Sequence, residues 1–170
     1  MSESSSNKGT YRAPYELPTG TATFTGTGGA AVGSFSVSLP IASENLNWTN
    51  ESGISSITRS NGVQVTWSGA DPNGTVQITG FSIGGTSQSN AAGAGFTCTA
   101  PGSANQFTVP ASVLQALPAI ANLNGSILSV ATGSLGISSS SAPVSFTATG
   151  LDLGVALTQT SFANSTVTYQ

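Results

Sequence analysis

The stretch Val63-Gln-Val-Thr-Trp-Ser68, followed by the turn Asp71-Pro-Asn-Gly74 and then Thr75-Val-Gln-Ile-Thr79, decides the fold class. Apolar and polar residues alternate on both sides of the turn, a period of two that is typical of strands with one buried face. Proline presets the backbone of such a turn and glycine tolerates the left-handed region, so the chain is expected to reverse here. We therefore predict two strands of a β domain at this point.

The same pattern extends outward in both directions. Ser60-Asn-Gly62 carries the Asn-Gly pair favoured in tight hairpins, so residues 54–83 are predicted to form a meander of about three strands. Upstream, short strands are predicted at 21–25, 35–39 and 46–49. Downstream, we predict strands at 96–99, 107–109, 127–132, 144–149, 153–159 and 166–170, loops at 84–95 and 138–141, and a helical segment between Pro110 and Pro118.

About ten short strands with frequent turns, and no alternation of strands with helices, favour a sandwich or a barrel. The apolar positions of the alternating segments predict its core. The predicted core residues are Phe35, Val37, Leu39, Val63, Val65, Trp67, Val76, Ile78, Phe107, Leu114, Leu117, Val130, Phe146, Val167 and Tyr169. Residues 1–18 are polar and interrupted by prolines, so we predict a flexible tail or linker there and a single β-sandwich domain over 19–170.

Charge is scarce: only 5% of residues are charged, against about 25% in typical soluble domains. Six acids and three cations give a net charge of −3. Because phosphate groups are neutralised by clustered Lys and Arg, nucleic acid and anionic membrane surfaces are poor partners for this chain. No stretch approaches the roughly 20 apolar residues of a membrane helix, so membrane insertion is not expected.

Several segments together resemble a known kind of domain. They are Leu46-Asn-Trp-Thr-Asn50, Ile54-Ser-Ser-Ile-Thr-Arg-Ser-Asn-Gly-Val-Gln-Val-Thr-Trp-Ser-Gly69, Phe96-Thr-Cys-Thr-Ala100, Phe107-Thr-Val-Pro110, Val113-Leu-Gln-Ala-Leu-Pro118 and the ending from Phe146 to Tyr169. In order and spacing they resemble a C-terminal β-sandwich domain of large, uncharacterised secreted proteins from soil bacteria, over roughly residues 20–170. The resemblance implies an extracellular or cell-surface location at the end of a longer protein, and it brings no catalytic residues.

From the strand pattern and this resemblance we predict an all-β, immunoglobulin-like β-sandwich of about ten short strands with one short helical segment. If the protein is exported, its signal is expected to have been cut off or to lie in a longer parent chain, since the start of this chain lacks the apolar core of a signal peptide.

Catalytic chemistry has few residues to use in this chain. With no His and a single Cys, Ser-His-Asp and Cys-His arrangements are impossible and the usual zinc and copper sites are nearly excluded. Cys98 is predicted to be a structural residue whose thiol is half-buried or on the opposite face of its strand, since almost no cation is present in the chain to activate a thiol. Asp71-Pro-Asn-Gly74 lacks the spacing of a calcium loop, so Asp71 is predicted to cap its own turn. We predict no enzyme, no metal and no cofactor.

Paired carboxylates are the remaining hydrolytic option, and Glu44, Glu51, Asp71 and Asp152 are the acids available after the tail. Asp71 and Asp152 suit turns better than catalysis. Glu44 and Glu51 flank Trp48, and an indole beside polar groups suits the face of a sugar. Trp48, Glu44 and Glu51 are therefore the candidate ligand-binding residues. A sugar-binding domain is expected to expose aromatic side chains, whereas a spacer is expected to bury both tryptophans.

The leading functional hypothesis is a non-catalytic structural or interaction module of a secreted or cell-surface bacterial protein. A carbohydrate-binding module is the alternative, and a β-sandwich hydrolase comes third. The expected partners are a protein or a surface polysaccharide. Self-association through sheet edges is a further expectation, because four acids and one Arg after residue 18 cannot guard every edge with charge. Prolines, Gly-rich loops or the 1–18 tail as an added strand would then guard the edges.

Overall fold

Strands make up 55% of the residues that the computed structural model describes. It describes residues 2–3, 11–12, 19–41, 46–84, 91–120, 133–159 and 163–170. The strands are β1 (Ser2–Glu3), β2 (Tyr11–Arg12), β3 (Gly20–Gly26), β4 (Phe35–Ile41), β5 (Asn47–Trp48), β6 (Ser56–Ile57), β7 (Val63–Ser68), β8 (Thr75–Gly84), β9 (Ala92–Pro101), β10 (Gln106–Val109), β11 (Gly133–Ser140), β12 (Val144–Phe146), β13 (Gly154–Ala156) and β14 (Ala163–Tyr169). With one α-helix in the described residues, α1 (Ala111–Leu114), the predicted all-β class is confirmed.

The chain divides into two compact units, residues 1–43 with 145–154 and residues 44–144 with 155–170. In the first unit, β3 and β4 pair antiparallel with Phe24 opposite Val37. Val37 and Leu39 are buried, as their alternation with serines predicts. The Phe35 ring stacks on the Phe146 ring with 5.0 Å between centroids. β1 and β2 form a separate two-stranded antiparallel ladder.

The second unit is a β-sandwich. Its three-stranded sheet has the order β10-β7-β5, and its five-stranded sheet has the order β6-β14-β11-β8-β9. Side chains from both sheets share one apolar core, and the α1 segment adds Leu114 and Leu117 to it. The three-stranded sheet contributes Trp48, Val65, Trp67 and Val109, and the five-stranded sheet contributes Val76, Ile78, Leu135, Ile137, Val167 and Tyr169.

The predicted core is largely confirmed. Ten of its members are buried, namely Val37, Leu39, Val65, Trp67, Val76, Ile78, Leu114, Leu117, Val167 and Tyr169. Phe35, Val63, Phe107 and Phe146 are half-buried, and Val130 lies outside the described residues. The prediction missed Trp48, Ile54, Ile57, Ala100, Val109, Leu135 and Ile137, which are also buried.

The prediction of a meander over residues 54–83 was wrong. β6 and β8 belong to the five-stranded sheet and β7 to the three-stranded sheet, so the chain crosses the sandwich at each connection. Gly62 adopts a φ of 74°, which fits the predicted turn, but the strands on its two sides are not neighbours in a sheet. Alternation identifies the buried face of a strand and is the same whether the next strand lies beside it or across the core.

Two segments predicted as loops contain strand residues. Ser138–Ser140 continue β11, which pairs with β8 along its length and with β14 over Gly133–Ile137. Residues 92–95, at the end of the predicted 84–95 loop, begin β9 and pair with β8. Small residues have weak intrinsic strand preference, so hydrogen bonding to neighbouring strands decides their conformation here. The predicted strand at 127–132 lies outside the described residues.

Several aromatic rings occupy the space above a glycine on the neighbouring strand. Gly26 lies opposite Phe35, and Gly80 lies opposite Phe96. A Cβ added at Gly80 would overlap the Phe96 ring and lie 2.7 Å from Tyr169 Oη. Glycine in a strand interior therefore marks a close approach, in this case by rings on the core side of the five-stranded sheet.

The predicted helical segment between Pro110 and Pro118 is confirmed over Ala111–Leu114. Its C-terminal carbonyl groups are bound by a side chain distant in sequence, since Arg59 Nη1 donates to Leu117 O at 2.6 Å and to Gln115 O at 3.5 Å. Cations near the carbonyl end of a helix are favoured by the orientation of the peptide dipoles. Arg59 therefore fixes the α1 segment.

Candidate functional site

Trp48, the centre of the predicted sugar site, is buried with 4% of its surface exposed. It lies on β5 opposite Trp67 of β7. Its Nε1 donates to Asn50 Oδ1 at 2.9 Å, and the same oxygen accepts from the Thr66 backbone N at 3.0 Å. The indole is therefore enclosed with its polar group satisfied, and it offers no face on which a sugar would stack.

Of the two carboxylates predicted beside Trp48, the structure describes Glu51. Glu51 begins the 3-10 turn Glu51–Gly53, where its carbonyl accepts from the Ile54 backbone N at 3.0 Å. Glu44 lies outside the described residues. Sequence reasoning missed the role of Asn50. This side chain accepts two hydrogen bonds through Oδ1 and donates one through Nδ2 to Gln64 O. This pattern ties β5 to β7, and a lone Asn gave no signal of it.

Asp71 has the predicted turn-capping role. Its Oδ1 accepts from the Asn73 backbone N at 2.9 Å, and the Gly74 backbone N donates to Asp71 O at 3.0 Å. Its Oδ2 accepts from the Ala142 backbone N at 3.3 Å. Both carboxylate oxygens accept hydrogen bonds from backbone N–H groups, in agreement with the predicted turn-capping role. Asp152 lies exposed in a loop of the first unit.

Cys98 lies on β9 and is half-buried among the residues that pack against the core. Burial raises the pKa of its thiol, so the reactive thiolate is disfavoured. Within the described residues, no three His, Cys, Asp or Glu side chains gather into a metal site. In the same part of the chain, no helix is long and apolar enough to cross a membrane.

The β8–β9 surface is the outward side of these two strands, opposite to the core. Along β8 the outward side chains alternate with fully buried ones. None of the outward side chains is ionisable, and all are exposed except Thr79 and Ile83, which are half-buried. The surface consists of Thr75, Gln77, Thr79, Phe81 and Ile83 from β8 and Gly93, Gly95, Thr97 and Thr99 from β9.

An open groove of about 70 Å³ adjoins this surface at the end nearest Thr75. Hydroxyl and amide groups line it, and the Thr75 and Ser140 hydroxyls are hydrogen-bonded at 2.9 Å. Such groups both donate and accept hydrogen bonds, so the groove suits a neutral polar ligand or water. Its lining includes Thr75, Gln77, Thr99, Ser138, Ser140 and Gln159.

Comparisons with protein-family models, with curated proteins and with solved structures find no match to this chain. The resemblance to a C-terminal β-sandwich domain of secreted soil-bacterial proteins therefore depends on the sequence segments quoted above, and the family and location it implies stay predictions.

Proposed function

We propose that this chain is a non-catalytic interaction module of a secreted or cell-surface bacterial protein, and that it joins a second copy of itself through the edge strand β9. The observation that carries the proposal is the contrast among the four sheet edges that the described strands give the sandwich. Three of them, β5, β6 and β10, are two, two and four residues long. The fourth, β9, is ten residues long.

Edge strands present unpaired backbone N–H and C=O groups, and proteins usually protect them by shortness, charge, proline or bulges. β9 has the sequence Ala-Gly-Ala-Gly-Phe-Thr-Cys-Thr-Ala-Pro, which lacks charge and carries proline only at its last residue. At about 3.3 Å per residue it offers roughly 33 Å of edge. The other three edge strands are protected because they are short, so β9 is the edge available to a partner strand.

A second copy of the chain suits this edge. Two β9 strands related by a twofold axis would pair antiparallel, so that the same residues face each other from both sides. Because β9 contains no Asp, Glu, Lys, Arg or His, no like charges would meet across the new ladder. The result would be a continuous sheet of ten strands across the dimer, in the manner of strand addition.

The immunoglobulin-like identity of the sandwich is part of the same proposal, and the strand order supports it. If β5, β7 and β10 are read as strands A, B and E, then β8, β9, β11 and β14 follow as C, C′, F and G. Variable-type immunoglobulin domains have the sheets ABED and GFCC′C″, so the described strands follow this order without strands D and C″. β6 pairs parallel with β14 at the opposite edge from β9. The chain between β5 and β6 accordingly passes from one sheet to the other.

The mass in solution tests the edge proposal. We expect the mass of the wild-type chain to rise above 16.8 kDa with concentration in light scattering or sedimentation. Thr97→Lys combined with Thr99→Lys places two charges on the exposed side of β9, and we expect this variant to remain monomeric. Thr166→Lys combined with Thr168→Lys is the matched control, because it adds the same charge to β14, an interior strand of the same sheet.

A wild-type chain that stays monomeric up to about 1 mM would overturn the proposal, since association weaker than that has no structural role. Equal loss of association in the β14 control would also count against it, because general charge repulsion and not the β9 edge would then explain the result.

A further inference from the structure

We infer that Phe81 and the β8–β9 surface around it form a binding site for a neutral polysaccharide. This inference does not rest on the β9 edge, because it concerns the outward side chains of the sheet and not its backbone. Phe81 is 43% exposed, and the other large apolar side chains that the structure records as exposed are the aliphatic residues Leu153, Val155 and Leu157. Among the described aromatic side chains, Phe81 is therefore the one that solvent reaches most.

The ring of Phe81 is held over two glycines of the neighbouring strand. Phe81 lies opposite Gly95 in the ladder, and Ile83 lies opposite Gly93. A Cβ built at Gly93 would lie 3.2 Å from Phe81 Cζ, and one built at Gly95 would lie 3.4 Å from Phe81 Cδ2. The ring thus occupies the space that side chains at both positions would fill, while nearly half of the residue's surface remains open to solvent.

The apolar Ile83 lies beyond the ring toward one end of β8, and toward the other end the surroundings of the ring are polar and neutral. Thr79, two residues before Phe81, lies on the same side of β8 and opposite Thr97 of β9. Gln77, two residues earlier again, lies opposite Thr99. Successive outward residues on a strand lie about 6.7 Å apart and neighbouring strands about 4.8 Å apart. Hydroxyl and amide groups therefore continue from the Phe81 ring to the groove beside Thr75, and none of them carries charge.

A neutral sugar polymer matches this arrangement. One face of a pyranose ring presents C–H groups, whose slightly positive hydrogens are attracted to the negative face of an aromatic ring. The rim of the sugar presents hydroxyl groups that donate and accept hydrogen bonds, as Thr and Gln side chains do. Charged polymers are disfavoured because the surface has no opposite charge to offer them. The extended shape of the surface favours a chain over a single sugar.

Retention on insoluble and immobilised polysaccharides tests the inference. The probes are microcrystalline cellulose, chitin, starch and mannan as neutral polymers, with alginate and heparin as charged ones. We expect the wild-type chain to bind at least one neutral polymer with little change between low and high salt. Phe81→Ala should weaken that binding about tenfold or more through loss of the stacking face, and Phe81→Trp should preserve it.

Leu157→Ala is the matched control, because it removes an exposed apolar side chain of similar exposure (48%) outside the β8–β9 surface and should leave binding unchanged. Thermal melting of all variants verifies that each is folded. Failure of the wild type to bind any of the four neutral polymers would overturn the inference, and so would wild-type binding by Phe81→Ala. A change of mass in solution on Phe81→Ala would instead assign the surface to a second copy of the chain. Loss of sugar binding in Phe81→Ala, with dimerisation intact, separates the two proposals.

Discussion

The two faces of the five-stranded sheet use the same strands for opposite purposes. On the core side, Val76 and Ile78 of β8 are fully buried and pack against the three-stranded sheet. On the other side, Thr75 and Gln77 of the same strand are exposed and neutral. Most proteins cover such an outer face with charged side chains, but this chain covers it with hydroxyl and amide groups. The comparison shows that the outer face of this sheet is hydrated through neutral polar side chains and not through charged ones.

Both faces also contain an aromatic ring above a glycine, with different consequences. On the core side, the Phe96 ring covers Gly80, and the Tyr169 hydroxyl also lies against this glycine. On the outer side, Phe81 covers Gly93 and Gly95 but remains open above. The same local device therefore fills the core in one place and leaves an accessible ring in the other.

The largest difference between the faces is expected from truncation of neighbouring residues on β8. Ile78→Ala removes a fully buried side chain from the core and is expected to lower the free energy of unfolding by about 2–5 kcal/mol. Gln77→Ala, one residue earlier on the exposed side, should change it by no more than about 0.5 kcal/mol. Urea unfolding followed by circular dichroism measures both. Equal effects would mean that the two faces are not distinct.

Adding a methyl group at the glycines tests the rings on the two faces. Gly80→Ala places a Cβ against Phe96 and Tyr169 in the core, and we expect a loss of about 1–3 kcal/mol. Gly93→Ala meets only the exposed end of Phe81 and Ile83 Cγ1, so a small movement of the ring should keep the change within about 0.5 kcal/mol. A Gly80→Ala variant as stable as the wild type would show that the core side is loosely packed.

Tyr169 adds a pH dependence to the core side. Its hydroxyl donates to Ser134 O at 2.9 Å, and burial raises the pKa of the phenol above its ordinary value. The unfolded chain releases this proton near pH 10 while the folded chain retains it, so stability is complete below about pH 10 and falls as pH rises above it. Tyr169→Phe should cost about 1–2 kcal/mol at neutral pH and make this alkaline loss smaller. Melting temperatures between pH 7 and pH 11 test both effects.

Truncation of Phe81 is expected to have a smaller effect on stability than truncation of the buried residues. Because its ring contacts two glycines and lies outside the apolar core cluster, Phe81→Ala should lower the free energy of unfolding by about 1 kcal/mol or less. The same variant is expected to lose polysaccharide binding. A loss of stability as large as that of Ile78→Ala would make Phe81 a structural residue and would remove the contrast between the faces.

The sequence pattern predicted the buried face of most strands but not their partners. Val65, Trp67, Val76 and Ile78 follow the period of two, and all four are buried. The same alternation could not reveal that β7 and β8 belong to different sheets, because the period carries no information about neighbours. Leu135 and Ile137 were missed since glycine and serine surround them, and only pairing with β8 and β14 makes that segment a strand.

The candidate site was harder to predict than the fold. Trp48 was chosen because acidic and polar residues surround it in sequence, yet its indole is enclosed by pairing with β7. Phe81 was counted as a strand residue, and its exposure depends on facing away from the core in a strand whose other face is completely buried. The signal available in the sequence was the position of this aromatic residue. Phe81 falls on the same alternate positions as the polar residues of β8, and not on those of Val76 and Ile78.

The burial of both tryptophans has a practical consequence for measuring this molecule. The chain contains two tryptophans, Trp48 and Trp67, and both lie in the core of the second unit. The Trp67 indole donates to Gly102 O at 3.1 Å in that core. Intrinsic tryptophan fluorescence should therefore be blue-shifted in the folded chain and should move to the red when the sandwich opens. Residues 1–43 and 145–154 contain no tryptophan, so this emission reports the second unit without interference from the first.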